Sequence, residues 1–227
     1  PGSAAAWLPW QTAKGEPMTL RCLVLASGRG SNFDALLRAS VGAGAPYVLT
    51  GLVTDRPGTG AEALAEAANL SHHCLPFKDF SSRAAFDEAL AATLVAEAPD
   101  LVLFAGFMRI LGPAFFHRCS LPLVNIHPAL LPAHRGLHTH RRALEAGDAF
   151  HGATVHWLTP DLDSGPTIAQ ARLPVAPGES EVSLAARVLR LEHALYPRAL
   201  AHLAVHRLSP PAPLALLWDG ETLTPWA

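Results

Sequence analysis

The sequence predicts an α/β protein: a mostly parallel β-sheet with helices on both faces and antiparallel strands added in its C-terminal half. Three observations predict it. Continuously apolar runs recur at 20–26, 47–54, 101–105 and 121–126, and runs without polar alternation suit strands covered on both faces. Segments of helical pattern separate them, the connection that parallel neighbours need. After Pro132 the character changes, and two longer strand-like runs, 153–158 and 167–175, read as antiparallel additions.

In order along the chain, strand 20–26 enters a glycine-bearing turn at 27–31, and a helix is expected over 32–43. Strand 47–54 is followed by a helix near 61–69, a short strand at 73–76 and an amphipathic helix over 83–97. Pro99 and Asp100 open the strand 101–105. Strand 121–126 leads into Pro128 and Pro132, which turn the chain outward. A short helix over 139–146 precedes the two longer strands. A long helix over 181–206 is expected to break near Pro197, and Asp219-Gly220 between two apolar runs reads as a hairpin in the tail 214–223. Neither repeats nor a domain-separating linker are evident, so residues 18–227 read as one domain. Residues 1–17, opening on Pro1-Gly2-Ser3, read as a tag remnant or extension ahead of Met18.

Half of the 227 residues are hydrophobic and the formal net charge is −2. That balance argues against a disordered chain and against a strongly basic nucleic-acid binder. Cys22, Cys74 and Cys119 are scattered without metal-ligand spacing, which suits free thiols in a reducing, cytoplasmic setting. No apolar run reaches the ~18 residues of a membrane-spanning helix, and the first residues lack the pattern of a secretory signal.

Asn125 and His127 stand two apart at the end of a buried strand, so amide and imidazole share a face. With Asp163 on a later loop they make a set able to move protons and stabilise an oxyanion without a covalent nucleophile. The competing reading is a strand-end pair that only hydrogen-bonds a loop. The turn Ser27-Gly28-Arg29-Gly30-Ser31-Asn32 opens a helix whose free amides could take one phosphate, or it is simply a tight turn capped by Ser31. It lacks the lysine of a phosphate-binding P-loop and the full dinucleotide spacing. Gly106 to Leu111 follows a parallel strand, where open α/β sheets bind ligands; Met108, Ile110 and Leu111 there could line a pocket or simply pack the core. His134, His138 and His140 fit no zinc pattern, and interleaved Arg135, Arg141 and Arg142 would repel a cation, so no metal is expected. Glu192-His193 reads either as a packing pair or as a carboxylate reaching a sugar hydroxyl.

Together, Ser27 to Asn32, Ala105 to Leu111, Asn125-Ile126-His127-Pro128, Leu130-Leu131-Pro132, Gly136 to His140, Val155-His156, Asp163-Ser164-Gly165-Pro166 and Glu192-His193 resemble the folate-dependent glycinamide ribonucleotide formyltransferases of purine synthesis. The similarity runs in order from about Leu20 to Ala204. Ala129 stands where the family usually has Ser, and Thr167 where a branched aliphatic is usual. Two relatives within the superfamily fit less well. Methionyl-tRNA formyltransferases add a C-terminal barrel, whereas only a short tail follows the last predicted helix. Formyltetrahydrofolate hydrolases add an N-terminal regulatory domain and tend to carry His-His where this chain has His127-Pro128. A non-catalytic phosphate-ligand binder on the same fold would not need Asn125, His127 and Asp163 together.

The resemblance implies a Rossmann-like formyltransferase fold and transfer of the formyl group of 10-formyltetrahydrofolate, the co-substrate, to the amine of glycinamide ribonucleotide. It implies Asn125, His127 and Asp163 as catalytic residues, and Gly30, Ser31, Asn32 and Glu192 as holding the ribonucleotide. It implies Met108, Arg109, Ile110, Leu111, Asp161 and Asp163 at the folate, with the loop 160–165 closing over it. The expected partners are these small molecules, without metal, nucleic acid or membrane, and the expected state is a monomer or weak homodimer.

Overall fold

A computed structural model describes residues 19–42, 44–209 and 212–226. The reading of 1–17 as an extension lies outside the described residues. The elements run β1 (Leu20–Ala26), α1 (Ser31–Ala39), β2 (Tyr47–Thr54), α2 (Gly60–Ala67), β3 (Ser71–Cys74), α3 (Arg83–Glu97), β4 (Leu101–Phe104), α4 (Pro113–Arg118) and β5 (Leu123–His127). The second half contributes α5 (Thr139–Ala146), β6 (Phe150–Trp157), β7 (Thr167–Pro174), α6 (Glu181–Val205), β8 (Leu214–Trp218) and β9 (Leu223–Pro225).

The strands form one sheet in the order β3-β2-β1-β4-β5-β6-β7-β8-β9. The five from β3 to β5 are mutually parallel, and β6 and β7 add on antiparallel, as expected. Strand β8 then returns parallel to β7, which is possible because α6 makes the crossover between them. β8 and β9 form the expected antiparallel hairpin, where Asp219 Oδ1 accepts the N–H groups of Glu221 and Thr222.

Alternation along β1 explains why its sequence is apolar throughout. Cys22, Val24 and Ala26 enter one core with Phe33 and Leu36 of α1 and the buried face of α6. Leu23 and Leu25 enter the opposite core with Phe86, Leu90 and Leu94 of α3 and Phe115 of α4. Each of the Val, Leu and Phe side chains among them contributes about 1.5–3 kcal/mol on burial.

Strand β3 lies two residues earlier than expected, β6 begins at Phe150 rather than at 153, and three helices depart further. Helix α1 ends at Ala39 rather than at 43, because the Ser40 N–H and hydroxyl both bond carbonyls of the last turn and Gly42 follows. The six-residue α4 opens with proline and is too short to show a helical period. Helix α6 does not break at Pro197. Its flanking residues Leu195, Tyr196, Ala199 and Leu200 are all fully buried. That packing outweighs the ~3 kcal/mol that an interior proline costs. The Tyr196 hydroxyl meets the carbonyls of Phe104 (3.2 Å) and Val124 (3.1 Å), binding α6 to the end of β4 and the start of β5.

Candidate active site

From β1 the chain winds outward through β2 and β3, and from β4 it winds the other way. The reversal between β1 and β4 opens a crevice beyond their carboxyl ends, where such sheets bind ligands. The glycine turn leaves β1 there, the loop 105–112 leaves β4, and His127 closes β5. Ser27 links the first two: its N–H donates to Gly106 O (3.2 Å) and its Oγ accepts from Met108 N (2.9 Å).

A cleft of about 530 Å³ lies at this end, lined among others by Met108, Ile110, Asn125, His127, Leu162 and Asp163. Pairing of β5 with β6 sets Asn125 opposite His156. His127 is buried, with Nδ1 3.4 Å from Asp163 Oδ2 and Nε2 3.0 Å from the His134 carbonyl. Both ring nitrogens thus face oxygen acceptors, an arrangement that an imidazolium satisfies with its two N–H groups. Asp163 Oδ2 also accepts the Gly136 N–H at 2.9 Å, which ties its loop to the segment before α5. Asn125, His127 and Asp163 are therefore brought together.

His156, singled out in the sequence only as part of a motif, completes the group. Its Nδ1 donates to Trp157 O (2.9 Å), which leaves Nε2 to accept from the Asn125 amide at 3.3 Å. Burial holds its pKa below the ordinary histidine value, against the opposing pull of the Trp157 carbonyl and Asp163. His156 therefore acts as a neutral acceptor that orients Asn125. The sequence signal was faint: a histidine inside an apolar run acquires meaning only from the register with β5.

The residues expected at the ribonucleotide form a second group. Helix α1 has Gly30 at its N-cap and no side-chain cap, unlike α2, α3 and α6. Ser31 is inside the helix rather than capping it. Asn32 Nδ2 donates to Glu192 Oε2 at 2.9 Å, while Asn32 Oδ1 is buried without a partner. Burial pushes the Glu192 carboxyl up to about 7, partly countered by the Asn32 bond.

In the loop after β4, Met108 and Ile110 are 65% and 66% exposed and face the cleft, while Leu111 turns into the core beside α3. The Arg109 guanidinium pairs with buried Asp55 at the end of β2 and lies 4.4 Å above the Phe77 ring, so its side chain is committed to the scaffold. Asp161 is not among the residues lining the cleft; its carbonyl accepts the Thr159 and Ser164 hydroxyls, shaping the turn that presents Asp163. His134 turns to Asp148 (2.6 Å) and His140 to His151 (3.1 Å). Among the described residues no group of three or more metal-ligating side chains converges.

A family model described as "Formyl transferase" matches residues 20–200. The chain is 42% identical to phosphoribosylglycinamide formyltransferase of Escherichia coli, over 91% of this chain and 97% of that protein. It is 41% identical to the trifunctional purine biosynthetic protein adenosine-3 of Drosophila melanogaster, over 81% of this chain and 14% of that longer protein. Among solved structures, the Brucella melitensis phosphoribosylglycinamide formyltransferase matches with a TM-score of 0.74 at 42% identity, over 82% of this chain and 96% of that one. Glycinamide ribonucleotide transformylase 1 of Symbiobacterium toebii matches with a TM-score of 0.79 at 34% identity, over 95% and 100%. A match that spans strands β1 to β7, most of α6 and every residue of both groups above leaves one conclusion: this chain belongs to the formyl transferase family.

Proposed function

We propose that this protein transfers the formyl group of 10-formyltetrahydrofolate to the amine of glycinamide ribonucleotide, a step of purine biosynthesis. The observation that carries the reading is the convergence of Asn125, His127 and Asp163 in a cleft at the sheet's reversal point. Among the described residues that line the cleft there is neither a serine nor a cysteine. That suits chemistry in which the substrate's own amine is the nucleophile. The names of the relatives support the same reaction.

In this mechanism His127 keeps Nδ1 towards Asp163 and redirects its Nε2–H from the His134 carbonyl to the oxyanion that develops at the formyl carbon. Asn125 donates beside it, aimed by His156. Asp163 accepts the amine proton directly or through water, and the proton passes on to the folate nitrogen as its bond to the formyl carbon breaks and tetrahydrofolate leaves. Such donors are typically worth about 10²–10³ in rate each. Holding the amine against the formyl carbon contributes on the order of 7–11 kcal/mol more, so the two binding groups matter as much as the trio. The phosphate sits on the amides of Gly30, Ser31 and Asn32, a sugar hydroxyl meets Glu192, and the apolar walls at Met108 and Ile110 take the flat pterin. Arg109 and Leu111 serve the folate through backbone groups, and the 160–165 loop covers it. No metal takes part. The free thiols suit a reducing, cytoplasmic setting, and the enzyme works there as a monomer or weak dimer.

The test is an assay of purified protein with 10-formyltetrahydrofolate, with and without glycinamide ribonucleotide, followed by mass spectrometry. Formyl transfer that requires the ribonucleotide is expected. Formate released equally well without it would favour a hydrolase, and no turnover under either condition would leave a binding protein.

A further inference from the structure

The loop that follows β4 is held from outside the cleft by two side chains one turn apart on α3. Arg83 Nη2 donates to the Ile110 carbonyl at 2.5 Å, and Asp87 Oδ2 accepts the Gly112 N–H at 2.9 Å. The two groups bracket Leu111 and supply the backbone bonds that a neighbouring strand would otherwise make. Arg83 Nε lies 4.0 Å from Asp87 Oδ2, so the fork is also an ion pair. The approach is close: a Cβ at Gly112 would stand 2.6 Å from Asp87 Oδ2.

Stability alone is a poor reason for this fork. Asp87 is 1% exposed, and its Oδ1 is buried without a hydrogen-bond partner. Burial raises its pKa, against the Gly112 bond and the Arg83 charge. A buried carboxylate with an unmet oxygen is costly, and its bond to the Gly112 N–H offsets that cost only in part. What the carboxylate supplies is direction. With Leu111 anchored in the core, its grip on Gly112 and Arg83's grip on Ile110 fix the far end of the loop, while Ser27 fixes the near end at Met108. The stretch between them has Met108 and Ile110 facing the cleft.

We propose that Arg83 and Asp87 are positioning residues for the folate: they set the height and tilt of the 106–112 loop before the pterin arrives. This rests on the assignment of that loop to the folate. Pre-organisation of this kind acts on the affinity for one substrate and leaves the chemical step alone.

The test is steady-state kinetics of Asp87→Ala, Asp87→Asn, Gly112→Ala and Arg83→Ala, each substrate varied in turn. A hydrogen bond to a charged group is worth enough that Asp87→Ala and Arg83→Ala should raise the folate KM about tenfold or more. The ribonucleotide KM and kcat should stay within about twofold of the parent. Asp87→Asn keeps an acceptor for Gly112 and should recover most of the loss, while Gly112→Ala, which pushes on the same oxygen, should reproduce it. Arg83 is 51% exposed, so Arg83→Ala leaves the core intact and remains informative if Asp87→Ala does not fold. A folate KM unchanged in Arg83→Ala and Gly112→Ala, or equal losses for both substrates, would overturn the proposal. Ile110→Asp separates it from the reading beneath. If Ile110→Asp leaves the folate KM untouched, the loop is not the folate site. If Ile110→Asp raises that KM and the α3 variants do not, the loop assignment stands and the fork has no positioning role.

Discussion

The side-chain amide of Asn32 donates to the Glu192 carboxylate across 2.9 Å, joining positions 160 residues apart. It is the one bond that offsets the burial of Glu192, and it does so incompletely, since the carboxyl rises from 4.5 to about 7. The folded protein thus holds this proton up to about 7, whereas the unfolded chain releases it near 4.5. Between those values the folded state binds more protons, so stability falls as pH rises. The contribution is fully present below about 4.5 and is lost through about 7, on the order of 3 kcal/mol. Glu192→Gln should flatten that decline in urea titrations from pH 5 to 8. Parallel curves for the two proteins would mean that Glu192 is already ionised when folded.

The same carboxyl predicts a pH effect on substrate. A sugar hydroxyl donates best to the ionised form, so ribonucleotide affinity should rise as pH passes through about 7. In Glu192→Gln that rise should vanish and affinity above the transition should fall about tenfold. Calorimetry across the range checks it, and a folate affinity that moved in step would point to a structural effect instead.

His156→Phe should lower kcat by about 10², since an unaimed Asn125 is an oxyanion donor lost. Both KM values should change little. Protonation of His156 would place hydrogen on Nε2 and remove the acceptor for Asn125. Burial keeps that protonation below the ordinary histidine range, so His156 should contribute an acid limb to the kcat profile. The limb should be missing in the Phe variant; a variant with parental kcat at every pH would remove the aiming role.

His127→Ala and Asp163→Asn should each reduce turnover by about 10² or more while ribonucleotide binding persists. Asp163→Asn keeps an oxygen for the Gly136 N–H, so the loop should hold its place. Near-normal kcat in either variant would end the mechanism proposed for that residue.

Gly30 makes a different prediction from the one its turn suggests. Its φ is +78°, and a Cβ there would meet Ala61 Cα of α2 at 2.8 Å. Gly30→Val should therefore destabilise the whole turn, by at least the ~1–3 kcal/mol of a strained backbone. Thermal melting should show the loss, and binding of both substrates should suffer. A selective loss of ribonucleotide affinity in a normally stable protein would instead place the new side chain in the path of the phosphate.

Local pattern made much of this legible. Helix α3 and helix α5 have the bounds that their sequence period gives, and the spacing of Asn125 and His127 put both on one strand face. Asp163 could be grouped with them by its chemistry, but its catalytic role came only from the family resemblance, because its partner is 36 positions away on another element. His156 entered only as part of a motif, without a role, and Asp87 was not recognised. The first depends on strand register, and the second is a carboxylate on an amphipathic helix that looks solvated until the loop after β4 is packed upon it. Pro197 was misjudged because propensity is local, whereas the packing that overrides it comes from the whole sheet.

Tyr196 lies one turn beyond Glu192 and reaches the strand ends that carry the loop after β4 and the catalytic amide. Asn125, His127, His156 and Asp163 all precede α6 in the chain. During synthesis on the ribosome, an emerging chain therefore acquires its catalytic trio before it owns either the Glu192 acceptor or the hydroxyl that ties those strands together. A chain that ends before α6 would therefore carry those three residues without the carboxyl or the hydroxyl that complete their surroundings.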